Sequence, residues 1–232
     1  QLCVSTERMF VAEEIYDRFV ERFVARTEAM TLGATLDWEN DMGTLISSAQ
    51  LARVEAHVRD AVAHGAQVLA GGRARPDLAP HYFEPTILAE VTTQMSCFGE
   101  ETFGPVVSVY RFAEEEEALT RANDGDYGLN GSIYSRDTGR ARALAARLKC
   151  GSVNINEGYS ASFASLGSPM GGMRSSGLGR RQGAEGIHRF TEAQTVATQR
   201  LLQVPPTFGR TEKTHAEVMV TSMKLLKRLG RA

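Results

Sequence analysis

Cysteine is scarce in this chain of 232 residues: Cys3, Cys97 and Cys150 are the whole set. An odd trio so widely spaced does not make a disulfide framework, and free thiols suit a reducing, cytoplasmic compartment. None of the three lies in a C-x-x-C pair or beside a histidine at ligand spacing. The five histidines are scattered, so no structural or catalytic metal is expected. Long hydrophobic runs are missing too, and no stretch approaches the roughly 18 apolar residues needed to span a bilayer. No secretory signal is visible, and because the chain starts at Gln1 rather than Met, a beginning further upstream is expected. A charge excess of either sign is also absent: 26 Lys and Arg face 28 Asp and Glu. That balance argues against a nucleic acid or a membrane surface as partner. The acidic run Glu114 to Glu117 and the basic run Lys224 to Arg231 read as a solvated helix start and a solvated tail.

What is present is a strand–helix rhythm. Arg8 to Val11 reads as a short strand. A helix follows it, with Ile15, Phe19 and Phe23 at four-residue spacing. Gly33 and the stretch Asp37 to Gly43 form a loop. Ser48 to His64 is a second helix, with Leu51, Val54, Val58 and Val62 on one stripe. Gly65 ends it, Gln67 to Ala70 is a strand, and Gly71-Gly72 turns the chain. Further strands are expected at Thr86 to Val91, Pro105 to Phe112, Ser132 to Tyr134 and Ser152 to Ile155, and helices at Glu114 to Ala122 and Arg140 to Leu148. This order predicts an α/β fold with a parallel sheet rather than a sandwich. Gly158 to Gly186 is a glycine- and serine-rich stretch too long for an ordinary connection, which points to function or disorder. Thr195 to Gln199 reads as a last strand. Pro205-Pro206 then precedes an apolar-periodic tail, Val218 to Leu229.

Cys3 has polar neighbours in Gln1, Ser5 and Thr6. An ordinary thiol, with a pKa of about 8.5, is only a few per cent thiolate near neutral pH, so a nucleophilic role needs a base or oriented donors from elsewhere in the fold. Six stretches fall in register with one family. They are Gln1-Leu2-Cys3 with Arg8, Gly33 with Asp41-Met42-Gly43, and Gly65-Ala66, Val68 and Gly71-Gly72. The others are Glu100 to Val106 (E-E-T-F-G-P-V), Asn123 with Tyr127-Gly128-Leu129, and Pro169, Gly171-Gly172, Ser176-Gly177 and Gly179-Arg180. Together they resemble the C-terminal, cysteine-bearing half of an NAD(P)-dependent aldehyde dehydrogenase over about residues 1 to 200.

The resemblance implies an open, twisted, largely parallel sheet with flanking helices, and a division of the chain. Residues 1–190 would be the catalytic domain, with part of the chain returning to an N-terminal domain. Residues 191–200 would be an oligomerisation strand making a homo-oligomer, and 201–232 a C-terminal extension, helical near its end. It also implies a mechanism: Cys3 attacks an aldehyde to give a thiohemiacetal, hydride passes to NAD or NADP, and water hydrolyses the thioester. Glu101 matches the glutamate that holds the nicotinamide ribose, and Phe103 the aromatic residue beside the nicotinamide. Asn156-Glu157-Gly158 with Ser160, Ser162 and Phe163 resembles the substrate loop of succinate-semialdehyde dehydrogenases. Counting forward from Asn-Glu-Gly places Ser162 as a contact for the distal carboxylate and Phe163 in the tunnel wall. Cys97, Cys150 and His188 match no catalytic position and read as structural.

Three departures stand out. Arg174 replaces a lysine of the glycine-rich motif, Arg181 stands where many members carry glutamate, and residues 201–232 run past the family's last strand. The family's dinucleotide-binding domain, general-base glutamate, oxyanion asparagine and NAD-versus-NADP selecting residues precede the cysteine and are not within these residues. Two alternatives therefore stay open: a truncated, inactive oligomerising fragment, and a cysteine hydrolase or acyltransferase in which a histidine such as His188 reaches Cys3.

Overall fold

A computed structural model describes residues 1–35, 38–199, 205–206 and 208–230. Of the expected features, Asp37 of the loop at 33–43, Arg200 of the oligomerisation segment 191–200, and 201–204, Thr207 and 231–232 of the C-terminal extension lie outside the described residues. The chain separates into two units, Gln1–Thr191 and Glu192–Ala232.

In the first unit, strand β1 (Arg8–Ala12) runs straight into helix α1 (Glu13–Glu28). Helix α2 (Ser48–Ala63) follows, its first turn closed by the Ser47 hydroxyl, which accepts from the Gln50 N–H at 3.2 Å. Strands β2 (Gln67–Ala70) and β3 (Thr86–Ala89), the short helix α3 (Ser96–Gly99) and strand β4 (Val106–Phe112) complete the main sheet and its covering. The strand order is β1-β4-β3-β2. β1 and β3 both pair with β4 in parallel, whereas β2 pairs with β3 antiparallel. The edge strand departs from the parallel expectation because no crossover helix lies between β2 and β3. The chain instead turns back at Gly71 and Gly72, both at positive φ (68° and 93°).

All four residues of β3 are buried, as a central strand covered on both faces requires. Leu88, Val106 and Tyr110 pack with Val54, Val58 and Ala61 of α2. Ile87, Ala89 and Val109 face the other way, toward Val20, Phe23 and Val24 of α1. The two helices thus cover opposite faces of the sheet. The expected helical stripes are each rotated slightly. Ile15 is 43% exposed while Val20 and Val24 pack inward, and Val62 is 48% exposed while His57 and Ala61 are buried. For α1 the cause is the junction: with no residue between β1 and α1, the strand sets the helix's rotation.

Helix α4 (Glu115–Ala122) carries its acidic residues in the first turn, where the helix dipole favours them. Next come β5 (Tyr127–Gly128), β6 (Asn130–Ile133), α5 (Thr138–Ala145) and β7 (Ser152–Ile155). β6 and β7 pair in parallel with α5 between them, a second βαβ unit. The stretch expected as one long loop holds α6 (Ser160–Ala164), β8 (Met173–Arg174), which pairs antiparallel with β5, and the start of α7 (Gly183–His188). Gly151 lies so close to this stretch that a Cβ there would run into the Gly171 carbonyl.

In the second unit, 192–199 belong to no strand within the chain. Helix α8 (Glu212–Arg228) starts six residues before the expected tail, at a Thr211 cap whose hydroxyl accepts from the Thr214 N–H at 3.3 Å. Val220, Met223, Leu225 and Leu226 on it are exposed. No helix among the described residues is long and apolar enough to cross a membrane.

Candidate active site

The segment before β1 is a tight turn, with the Ser5 N–H donating to the Leu2 carbonyl at 2.9 Å. Val4 is buried beneath it, and the Gln1 side-chain oxygen accepts from the Ile46 N–H at 2.8 Å. With those two anchors, Cys3 sits exposed at the tip. It lines a groove of about 1580 Å³ together with Glu7, Arg8, Glu101, Asn123 and Ser176. Arg8 acts structurally there. Its guanidinium donates to the carbonyls of Arg121, Ala122 and Asp124 at 2.9–3.1 Å, which closes the carbonyl end of α4. Burial lowers its pKa from the usual arginine value, and the rings of Phe10 and Phe98 lie within 5.8 Å of it.

Across the groove, the turn 100–103 is held from two sides. From α2, Gln50 donates to the carbonyls of Thr102 and Phe103 at 2.9 and 3.0 Å, and Arg53 donates twice to the Glu101 carbonyl. His57 Nδ1 lies 3.1 Å from the Thr102 hydroxyl, and the Glu100 carboxylate pairs with Arg53 and lies 3.6 Å from His57 Nε2. Burial pulls the His57 pKa down. From the Cys3 segment, the Glu7 carboxylate accepts from the N–H groups of Thr102 and Phe103 at 3.1 and 2.9 Å. Burial pushes the Glu7 pKa up, and these two N–H groups work against that. Glu101 remains exposed on the groove, whereas Phe103, half-buried with φ at +53°, does not line it.

Ser162 and Phe163 lie on α6, and neither lines the Cys3 groove. The Ser162 hydroxyl donates to the Tyr159 carbonyl at 3.0 Å, and its N–H donates to Asn154 Oδ1 at 3.0 Å. Asn154, 2% exposed, also donates to Asn130 and to the Gly158 carbonyl, so it pins the loop from below. Phe163 packs edge-on against Tyr159, and the Arg181 guanidinium lies 5.1 Å from its ring centre. The two departures from the motif therefore have local partners: Arg181 has this ring, and Arg174 donates to the carbonyls of Asn123 and Gly125.

The structure thus brings Cys3 and Glu101 to one groove and leaves Phe103, Ser162 and Phe163 off it. Cys97 is buried on the groove wall and Cys150 is half-buried. Burial raises the pKa of both, as expected of packing thiols. Of the histidines in the first unit, His57, His64, His81 and His188, none lines the groove. Among the described residues no cluster of His, Cys, Asp or Glu could hold a metal ion. Sequence reasoning missed Glu7, Gln50, Arg53 and His57. The one available signal was Glu7 itself, a charge wedged between the cysteine turn and a strand.

Residues 1–196 match the aldehyde dehydrogenase family. The chain belongs to that family. A Mycobacterium tuberculosis protein named provisionally as succinate-semialdehyde dehydrogenase [NADP(+)] 2 is 50% identical over 209 residues, 90% of this chain and 40% of that protein. The mitochondrial succinate-semialdehyde dehydrogenase of Rattus norvegicus is 41% identical, over 84% of this chain and 37% of its own. Among solved structures, the succinate-semialdehyde dehydrogenase of Burkholderia pseudomallei aligns with a TM-score of 0.74 at 40% identity, covering 81% of this chain and 38% of that one. An apo betaine aldehyde dehydrogenase mutant from Staphylococcus aureus reaches a TM-score of 0.82 at 35% identity, over 90% and 42%. The chain therefore spans about two-fifths of the curated relatives it matches. The family read from six motifs and the α/β fold are both what these likenesses show.

Proposed function

We propose that this chain is the cysteine-bearing part of an NAD(P)-dependent aldehyde dehydrogenase, with succinate semialdehyde as the favoured substrate. The observation that carries the reading is that Cys3 and Glu101, about a hundred residues apart, line one groove. The exposed Glu101 carboxylate suits a dinucleotide, since it can accept hydrogen bonds from both ribose hydroxyls. Phe103 is assigned to the nicotinamide side through its neighbour. In the proposed reaction, the Cys3 sulfur bonds to the aldehyde carbon, and the Cys3 N–H faces the oxyanion that results. A dinucleotide held at Glu101 would supply a hydride acceptor, and loss of hydride from the adduct carbon would leave a thioester on Cys3. Cys3 then leaves as thiolate when water takes the acyl carbon.

On the substrate side, Ser162 would meet the distal carboxylate and Phe163 the chain of the aldehyde. For Ser162 this requires its hydroxyl proton to turn away from the Tyr159 carbonyl. Thr195 to Gln199, which resembles the strand through which family members pair, would pair with a second copy in a homo-oligomer, and free thiols at Cys3, Cys97 and Cys150 suit the cytoplasm.

The test is NAD(P)H formation from succinate semialdehyde, by this chain alone and by a chimera joining it to the N-terminal part of its Mycobacterium tuberculosis relative. The expected result is no absorbance change from the chain alone and turnover by the chimera. A folded chimera that produces no NAD(P)H would favour an inactive, oligomerising fragment. Ester turnover without dinucleotide, lost on both Cys3→Ala and His188→Ala, would favour a hydrolase. No histidine on the groove speaks for that reading.

A further inference from the structure

We propose that Glu7 is a positioning residue that ties the Cys3 segment to the turn carrying Glu101 and Phe103, and so sets the dinucleotide-facing side of the groove. The inference rests on the dinucleotide role proposed for Glu101. Each Glu7 carboxylate oxygen takes one N–H: Oε2 that of Thr102 at 3.1 Å, Oε1 that of Phe103 at 2.9 Å. The Glu7 backbone carbonyl also accepts from the Ser108 N–H at 2.9 Å. One residue therefore grips both ends of the segment running from the turn into β4. The segment needs a grip, because Phe103 holds φ at +53°, a region that bulky side chains rarely enter unless their surroundings force it.

The holds on this turn are complementary. Gln50 and Arg53 donate to its carbonyls, Arg53 also pairing with the Glu100 carboxylate, and Glu7 accepts from its amides. The α2 side anchors the turn to the sheet's covering helix, while the Glu7 side anchors it to the nucleophile. Between Cys3 and Glu7 lie three residues, one of them the buried Val4. A shift of the turn against Glu7 is therefore a shift of Glu101 against Cys3. Because Thr102 is itself buried and held by His57, the turn should persist without Glu7, displaced rather than unfolded.

The test separates positioning from bulk stability. In Glu7→Gln one acceptor oxygen becomes an NH2 facing an N–H, while the size is kept. In this chain, the amides of residues 100–104 should exchange hydrogen about tenfold faster in Glu7→Gln, with α2 and β4 unchanged. In the chimera, titration with NAD+ and NADP+ should show about tenfold weaker dinucleotide binding, with part of the loss recovered in Glu7→Asp. Alkylation of Cys3 by iodoacetamide without dinucleotide should stay within about twofold of the parent. Equal dinucleotide affinity in parent and Glu7→Gln, or exchange that rises across the whole unit, overturns the inference. A parent chimera that binds neither dinucleotide overturns the reading beneath it, and the inference falls with it.

Discussion

The turn 100–103 and the α6 loop are two candidate binding segments of one unit, built differently. The turn is held by side chains far away in sequence: Gln50, Arg53 and His57 on α2 and Glu7 before β1. The loop mixes bonds within itself with bonds from Asn130, Ser132 and Asn154 of β6 and β7 and from Gln182. Ser162 and Ser165 donate to carbonyls three and four residues back, and Glu157 accepts from the Ala161 N–H. A segment fixed by several long-range bonds keeps one geometry, which suits a cofactor common to many reactions. The short helix of the loop, bonded mainly to its own carbonyls beyond Ser162, has more room to vary, which suits substrate choice.

The largest effect should separate the framework behind the turn from the glycine-rich stretch. Leu88→Ala, at a fully buried position in β3, should cost about 2–5 kcal/mol in urea unfolding. Leu178→Ala, 92% exposed, should stay within about 0.5 kcal/mol. Similar losses at both sites would dissolve the contrast. Next in size, Gln50→Ala removes two bonds to turn carbonyls and should speed amide exchange over 100–104 about tenfold while leaving the α6 loop unchanged. Equal acceleration in both segments would mean that they are one cooperative piece.

A pH effect sharpens the same contrast. The folded pKa of His57 lies below that of a free histidine, so the unfolded chain takes up the proton first. Its contribution to stability is therefore full above about pH 6.5 and is lost as the pH falls through the folded value. The urea midpoint should drop between about pH 7.5 and pH 5.5, and His57→Gln should shrink that drop. An unchanged drop would assign it to other groups. The smallest effect belongs to the loop. Ser162→Ala in the chimera should raise KM for succinate semialdehyde about threefold and leave that for an uncharged aldehyde alone, since the serine proton already serves Tyr159. Equal shifts for both substrates would take Ser162 out of carboxylate binding.

Much of the framework could be read from local pattern. Strand β3 announced itself as a short apolar run, and α2 by its serine start and glycine stop. Helix rotation could not be read that way, because β1 sets it for α1. The antiparallel β2 was likewise hidden in a connection without a helix. Cys3 and Glu101 were legible only as motifs, since nothing local distinguishes an exposed cysteine or a glutamate in an acidic pair. Glu7 stood out only as a charge between the cysteine turn and a strand, and its partners could not be read because they lie 95 and 96 residues away. Ser162 and Phe163 were placed by counting along a loop, and the fold sets them off the Cys3 groove.

The central claim is that Cys3 is the nucleophile of a groove whose other wall bears Glu101. Its most direct test is to mix the chimera with succinate semialdehyde and dinucleotide, quench in acid and search every peptide by mass spectrometry for a succinyl thioester. The account predicts that adduct on the peptide containing Cys3, and neither adduct nor NAD(P)H from Cys3→Ala. An acyl group on Cys97 or Cys150, or turnover that survives Cys3→Ala, would contradict it.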